Sequence, residues 1–317
     1  MPYLSFAAIC LLFGSNFILM SRATQAFGPM AIGAGRVFGA IVVLLVMWRW
    51  LTPAARVPRE KWLSCLFVGL LANGYPYVVQ PYLIGTAKAM GGGAGHSFFG
   101  MMVAFTPLLT ILVSIPMLGI RPTARQLVGV LGGLAFITLL MYDGSVRGVT
   151  PMMLAMTVSI PLCYATANTY LRAYLNDVPA LALSVTMLVS PVVLLTPLAL
   201  FDGVLEPFHL AGPAEPTNWP TAIAAVVMLG FLGTGLTMWL FVRLVQSQGP
   251  LFAGMVTYVV PLVALAWGSF DAEQITTRQL VAIAGVLSMV ALVQFGAAKT
   301  KPANTALPDS ASATAEV

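Results

Sequence analysis

Nine stretches of this chain carry no Asp, Glu, Lys or Arg, and none is shorter than 17 residues: 1–21, 62–87, 89–120, 126–142, 148–171, 178–201, 216–242, 244–270 and 279–298. A helix needs about 20 largely apolar residues to cross the hydrocarbon layer of a bilayer. Each stretch is therefore the length of one crossing. A tenth runs from Met30 to Trp50 and is interrupted by Arg36 and Arg49. Such runs are too long for membrane strands, which argues against a β-barrel. The remaining composition agrees. Charged residues make up 8% of 317 and hydrophobic ones 59%, whereas a soluble domain carries about 25% charge. A soluble enzyme, a nucleic-acid-binding module and a disordered chain are excluded on that ground.

The expected spans are 4–21, 30–50, 62–84, 94–118, 125–142, 150–170, 180–200, 218–241, 251–270 and 278–297. The first lacks the basic start of a signal peptide and is followed closely by a second, so it reads as a retained span. With the N-terminus inside, Arg49, Arg56, Arg59, Lys61, Arg121, Arg125, Arg172, Arg243, Lys299 and Lys301 fall in the cytoplasm, against Arg22, Lys88, Arg147 and Arg278 outside. That bias puts both termini in the cytoplasm. The net charge of +5 thus sets orientation and gives no reason to expect nucleic acid. Cys10, Cys65 and Cys163 sit in apolar runs and read as small buried hydrophobes. The Ser/Ala/Thr-containing tail 299–317 reads as disordered.

The two halves repeat one another. At an offset of 150, Arg22-Ala23 falls on Arg172-Ala173 and Pro29 on Pro179. At 154, Gly95, Phe98, Gly100, Met101, Pro107 and Leu108 fall on Gly249, Phe252, Gly254, Met255, Pro261 and Leu262. At 153, Arg125-Gln126-Leu127-Val128 matches Arg278-Gln279-Leu280-Val281. Five spans is an odd number, so the second copy must enter the membrane in the opposite sense. Inverted repeats of this kind are common in secondary transporters, where the solute route lies between the halves.

Several motifs resemble the drug/metabolite transporter superfamily in its ten-span EamA-type branch. They are Phe13-Gly14-Ser15-Asn16-Phe17, Pro29 with Arg36, Gly95-His96-Ser97 through Thr106-Pro107-Leu108-Leu109, Leu118 to Thr123, and Gln126 to Gly129. The second copy adds Gly249 to Pro261, Glu273, Gln279-Leu280 and Gly285. Two positions depart from the pattern: Ile120 stands where the family has Glu, and Ala272 where it has Gly. The resemblance implies an all-α polytopic membrane protein of ten transmembrane helices in two inverted five-helix repeats, 1–147 and 148–298. It also implies export of small organic metabolites such as amino acids across a bacterial inner membrane. Efflux of drugs or cationic compounds is the alternative reading, and a non-transporting receptor or scaffold a further one. A monomer and a homodimer are both compatible with it.

Candidate path residues follow from polarity at membrane depth. Arg36, between Gly35 and Gly39, is the costliest group in the apolar runs. It either faces a lumen, where it would attract a carboxylate or phosphate, or snorkels to the headgroups. No acidic residue lies well inside a span, which favours an anionic or zwitterionic solute. The same absence leaves His96 as the titratable candidate for proton coupling, with a hydrogen-bonded cap role and exchange or uniport as alternatives. Asn73, Tyr77 and Gln80 are spaced to share one helix face beside Pro76 and Pro81; such groups line a route or bind helices together. Asn16, Tyr164, Asn168, Trp239 and Tyr258 complete the set. Pro76, Pro107 and Pro261 are hinge candidates.

Gly91-Gly92-Gly93 is not followed by Gly-Lys-Ser/Thr, so it is no phosphate-binding loop. Two histidines 113 residues apart, with no buried acids, argue against a membrane-embedded enzyme. The expected partners are a small-molecule substrate and membrane lipid, with a proton or an exchanged solute for coupling and no cofactor or metal. Impermeant labels attached at Val149 and at Asp177 are expected to react from opposite sides of the membrane; reaction from the same side would contradict the span assignment.

Overall fold

The computed structural model describes residues 2–52, 54–90, 95–119, 123–125, 127–129, 131–132, 135–136, 149–201, 206, 210–244, 256–271 and 276–297. Gly91 to Gly93, Glu273, the end of the fifth expected span and the tail 299–317 lie outside them. The described residues form helices: α1 (Pro2–Ala23), α2 (Pro29–Leu51), α3 (Trp62–Gly69), α4 (Tyr75–Ala89), α5 (His96–Met102), α6 (Thr106–Leu118), α7 (Pro151–Tyr174), α8 (Ala180–Leu198), α9 (Trp219–Gly230), α10 (237–244), α11 (Val256–Phe270) and α12 (Thr277–Ala297). Further helical residues lie between 124 and 136.

Helix boundaries follow local chemistry. Gly28 is extended and Pro29 opens α2, where its fixed φ and missing N–H cost nothing. Thr150 accepts a hydrogen bond from Met153 N at 3.2 Å and is followed by Pro151, an N-cap that satisfies one of the open donors of α7. Gly119, at φ +64°, ends α6 in the left-handed region, which glycine enters without a Cβ penalty.

Among the described residues six helices are long and apolar enough to cross a membrane: Tyr3–Ala23, Pro29–Leu51, Arg59–Ala89, Phe98–Met117, Ala180–Leu198 and Trp219–Leu244. Val259–Phe270 and Leu280–Met289 are apolar but shorter among the described residues. At 24 residues, α7 is long enough, but its Thr, Ser, Tyr and Asn side chains make it more polar. The molecule is an all-α polytopic membrane protein. Its outer surface carries Leu45, Val46, Leu63, Val193, Leu194, Ile223 and Val227, side chains suited to lipid contact.

Small residues face inward. On α9 the exposed Ile223, Val227 and Met228 alternate with buried Ala222, Ala225 and Gly230. A Cβ on Gly39 would stand 3.0 Å from the Cα of Gly230, and one on Gly230 equally close to the Cα of Gly39. Gly235 lies against Ala40 in the same seam. Lipid is as apolar as leucine, so helices in a bilayer associate through such close backbone packing. Elsewhere α2 packs along α8, α1 along α11 and α9, α6 along α7, and α3 along α8. Helices from the two ends of the chain therefore interleave.

Two long crossings are not uniform α-helix. Leu70–Gly74 joins α3 to α4 as a π-helical turn, and Phe231–Leu236 joins α9 to α10 in the same way. Such turns insert a residue, leave backbone carbonyls without their usual partners and recur at functional sites. The surrounding sequences correspond at an offset of 161, Gly69-Leu70-Leu71-Ala72-Asn73-Gly74 against Gly230-Phe231-Leu232-Gly233-Thr234-Gly235. Pro76 stands two residues after the first turn, whereas the second has no proline nearby. The Gly-flanked motif, and not proline, is thus common to the two irregular segments.

Gly39→Leu should force the α2–α9 seam apart. Overpacking of this kind costs about 1–3 kcal/mol, and the expected result is a lower unfolding temperature in detergent, with Leu45→Ala on the lipid face nearly unchanged.

Candidate functional site

Arg36 lies on α2, one turn from the Gly39–Gly230 contact, and is 2% exposed. Its guanidinium carbon stands 3.8 Å from the centre of the Tyr77 ring. Arg36 Nε donates to Thr234 Oγ1 at 3.2 Å, and Nη1 to the Met20 sulfur at 3.3 Å. No carboxylate reaches it among the described residues. A ring face, a hydroxyl and a thioether stabilise a cation less than a carboxylate does. The guanidinium is therefore buried inside the helix bundle, in contact with residues from three other helical segments, instead of extending to the headgroups. The close approach allowed by Gly35, Gly39 and Gly230 brings Thr234 within its reach.

Of the polar residues expected to share a face of the third span, Tyr77 is the one shown meeting Arg36. Asn73, Tyr77 and Gln80 are 4%, 6% and 4% exposed. Gln80 Nε2 donates to the Tyr164 hydroxyl at 3.4 Å, tying α4 to α7. Tyr75 and Ser159 share a hydrogen bond of 2.7 Å between the same two helices. Asn73 Nδ2 is buried without a hydrogen-bond partner among the described residues. On α1, Asn16 Nδ2 donates to the carbonyl of Gly233 at 3.0 Å, capping an oxygen of the second π turn. Thr237 Oγ1 caps another, the carbonyl of Leu232, at 2.6 Å.

Asn168 is half-buried one turn from Tyr164. Trp239 is half-buried as well, and its ring centre lies 5.5 Å from the guanidinium carbon of Arg243, outside the Arg36 cluster. The side chain of Tyr258 lies outside the described residues. Pro107 begins α6 and Pro261 lies inside α11.

His96 is elsewhere. It opens α5, is 3% exposed, and its Nε2 stands 3.3 Å from Asp271 Oδ2 at the end of α11. Asp271 also pairs with Arg22 at the end of α1. Lys88 donates to the carbonyl of Ser21 at 3.0 Å nearby. These charges close one end of the bundle. Another ion pair, Lys61 with Asp177, joins the start of α3 to the α7–α8 connection. The Lys61 ammonium and a backbone hydrogen bond hold the Asp177 carboxyl below the ordinary carboxylate range. The pair is lost only as pH falls through that lowered value, and its exposure keeps its contribution small.

Thr234, Met20, Gly233 and Asp271 are missing from the residues picked by polarity at depth. Thr234 and Gly233 are recoverable from sequence through the offset of 161, which sets Thr234 opposite Asn73 and Gly233 opposite Ala72. Met20 carries no polar signal. Among the described residues no group of three His, Cys, Asp or Glu could hold a metal ion.

The model of the EamA-like transporter family matches residues 1–142 and again 151–295. This chain belongs to the EamA-like transporter family. The family lies in the drug/metabolite transporter superfamily, whose members carry out membrane transport. Among similar proteins is the uncharacterized inner membrane transporter YedA of Escherichia coli strain K12, 24% identical over 294 residues, spanning 91% of this chain and 89% of that protein. The protein of the same name in Escherichia coli O157:H7 gives the same figures. A solved crystal structure with 19% identity covers 92% of this chain and 97% of its own, with a TM-score of 0.60. At that identity the likeness shows a shared fold alone.

Arg36→Met removes the buried charge while keeping an apolar stem. Replacing a buried charge with a hydrophobe is often neutral or stabilising, so the unfolding temperature should hold or rise. Thr234→Val leaves Nε without its acceptor at a cost of about 1–3 kcal/mol, and should lower it. Differential scanning fluorimetry on the purified protein distinguishes the two outcomes.

Proposed function

We propose that this chain is a ten-span secondary transporter whose repeats, 1–147 and 148–298, cross the membrane in opposite senses and enclose a route for small zwitterionic or anionic metabolites such as amino acids. The observation that carries the substrate reading is Arg36, a cation buried at membrane depth with no carboxylate beside it among the described residues. A solute carboxylate would complete its charge-assisted hydrogen bonding, and Tyr77, Gln80, Tyr164 and Asn73 offer further polar and aromatic surface. The uncompensated cation disfavours cationic drugs.

The antiparallel architecture is supported by paired contacts. A Cβ on Gly132 would meet Met289, and one on Gly285 would meet Phe136. An offset of 153 turns the first contact into the second. The two helices run antiparallel, because 132 meets 289 while 136 meets 285. Likewise His96 lies near Asp271 while Gly100 lies against Ala264. Neighbouring helices also come in mates: α1 on α11 with α7 on α6, and α3 on α8 with α9 on α2. The two separate family matches agree with the duplication.

A bacterial inner membrane is supported by the description of YedA, and cytoplasmic termini by the excess of Lys and Arg in the assigned inner connections. Export is the direction that the family resemblance favours. His96 beside Asp271 is the place for proton coupling, with solute exchange as the other mode. Monomeric and dimeric forms fit equally.

Counterflow in proteoliposomes with amino acids, sugars, nucleosides and cationic drugs tests the reading. Saturable exchange of amino acids is expected, and flux of the cations alone would overturn it. Arg36→Ala should reduce exchange of acidic and zwitterionic solutes about tenfold or more, the worth of a lost charged hydrogen bond. Equal exchange by wild type and variant would remove Arg36 from the route.

A further inference from the structure

The two π turns occupy corresponding places, yet they are held differently. Phe231–Leu236 is fastened by side chains from the first half of the chain, Asn16 on the Gly233 carbonyl at 3.0 Å and Arg36 on the Thr234 hydroxyl at 3.2 Å. Gly233 is packed so closely on Asn16 that a Cβ there has no room. Leu70–Gly74 has no such fastening among the described residues. Asn73, opposite Thr234 at the offset of 161, keeps a buried Nδ2 that has no partner among the described residues. Thr186, opposite Arg36 at the offset of 150, bonds to its own helix at the carbonyl of Ala182, 2.9 Å away.

A side chain able to fasten the first turn is present in the second half. The residue aligned with Asn16 at the offset of 150 is Thr166, whose hydroxyl bonds its own helix at the carbonyl of Leu162, 2.9 Å away; Asn168 is the asparagine of α7, as Asn16 is of α1, and shares its helix face with Tyr164. It makes no side-chain hydrogen bond among the described residues. Gln80 meets Tyr164, and Ser64 meets Tyr170 at 3.0 Å, so α7 runs antiparallel to α3–α4. Asn168, one turn beyond Tyr164 on the same face, is thereby level with the residues just before Gln80, toward the Leu70–Gly74 turn. The helix contacts include α7 on that turn.

We propose that Asn16 and Asn168 are the paired positioning residues of the transport cycle. The structure holds the state in which the second π turn is fastened by Asn16 and the first has no such fastening among the described residues. In the opposite state Asn16 lets go of Gly233 and Asn168 closes on the Leu70–Gly74 turn, with the Asn73 amide meeting an acceptor. Inverted repeats supply the geometric basis, since two unlike conformations of like units yield the other state when the units exchange them. The inference rests on the transporter reading above. It adds which hydrogen bonds are made and broken, and it makes the polar residues of α1 and α7 part of the conformational change as well as of the route.

Hydrogen exchange read by mass spectrometry on the full chain in nanodiscs, without any solute, tests it. In wild type, peptides covering 231–236 should exchange more slowly than those covering 70–74. Asn16→Ala should speed exchange at 231–236 about fivefold, the worth of one hydrogen bond, and slow it at 70–74. Asn168→Ala should leave 231–236 protected or protect it further. A structural role for Asn16 would loosen its own turn and leave the distant one unchanged, and that result would overturn the proposal; so would acceleration at both turns in either variant. Should Asn16→Ala fail to fold, Asn16→Asp, which keeps the volume but loses the donor, serves in its place. Because the measurement needs no flux, failed counterflow with reciprocal exchange would sink the solute assignment alone, and normal counterflow without reciprocity would sink the paired asparagines alone.

Discussion

A backbone carbonyl inside a bilayer has no water to turn to, and this constraint governs the centre of the molecule. Straight helices satisfy it by themselves. Where α3–α4 and α9–α10 break into π turns, the released oxygens need protein donors. Asn16 and Thr237 supply two of them for the second turn. The glycines around the second turn matter to the same centre, because close backbone approach brings Asn16 on α1 to the Gly233 carbonyl and Arg36 on α2 to the Thr234 hydroxyl. Small side chains at Gly39, Gly230 and Gly235 are therefore a condition for the polar centre as well as for helix packing.

Arg36 then acquires its surroundings as a consequence of that seam. The ring of Tyr77 shields one face of the guanidinium, and Thr234 takes the Nε proton. Neither neutralises it. A buried charge left in this condition costs stability, and the cost is consistent with a group kept for a negatively charged visitor. The ends of the bundle are organised on different lines, by charges that neutralise one another: Arg22 with Asp271 at one, Lys61 with Asp177 at the other.

Much of this was legible in the sequence because hydrocarbon imposes a strong rule on charge. The charge-free runs located the helices, although Arg59–Ala89 extends five residues beyond the expected end of its span. Helical spacing put Asn73, Tyr77 and Gln80 on one face, and the structure shows all three buried. Less visible was the cause of the irregularity beside them. Proline at 76 and 81 drew attention to a kink, yet the corresponding turn at Phe231–Leu236 forms without one, since glycine flanks and a small polar residue suffice. The neighbours of Arg36 were hidden for a different reason: Met20 and Thr234 are distant in the chain, and neither residue type stands out in an apolar run. Asp271 was readable as a loop acid but not as the residue that brings His96 and Arg22 together.

The lone guanidinium also bears on how such a chain can descend from a half-length ancestor. A first half assembled with an inverted copy of itself would bring two copies of Arg36 into the same interior, each needing shelter from hydrocarbon. Fusion frees the copies to diverge, and here Thr186 stands at the position aligned with Arg36, satisfied by its own helix. Among the described residues the place aligned with Arg36 thus carries no charge, and a solute in the proposed route would meet two chemically different walls.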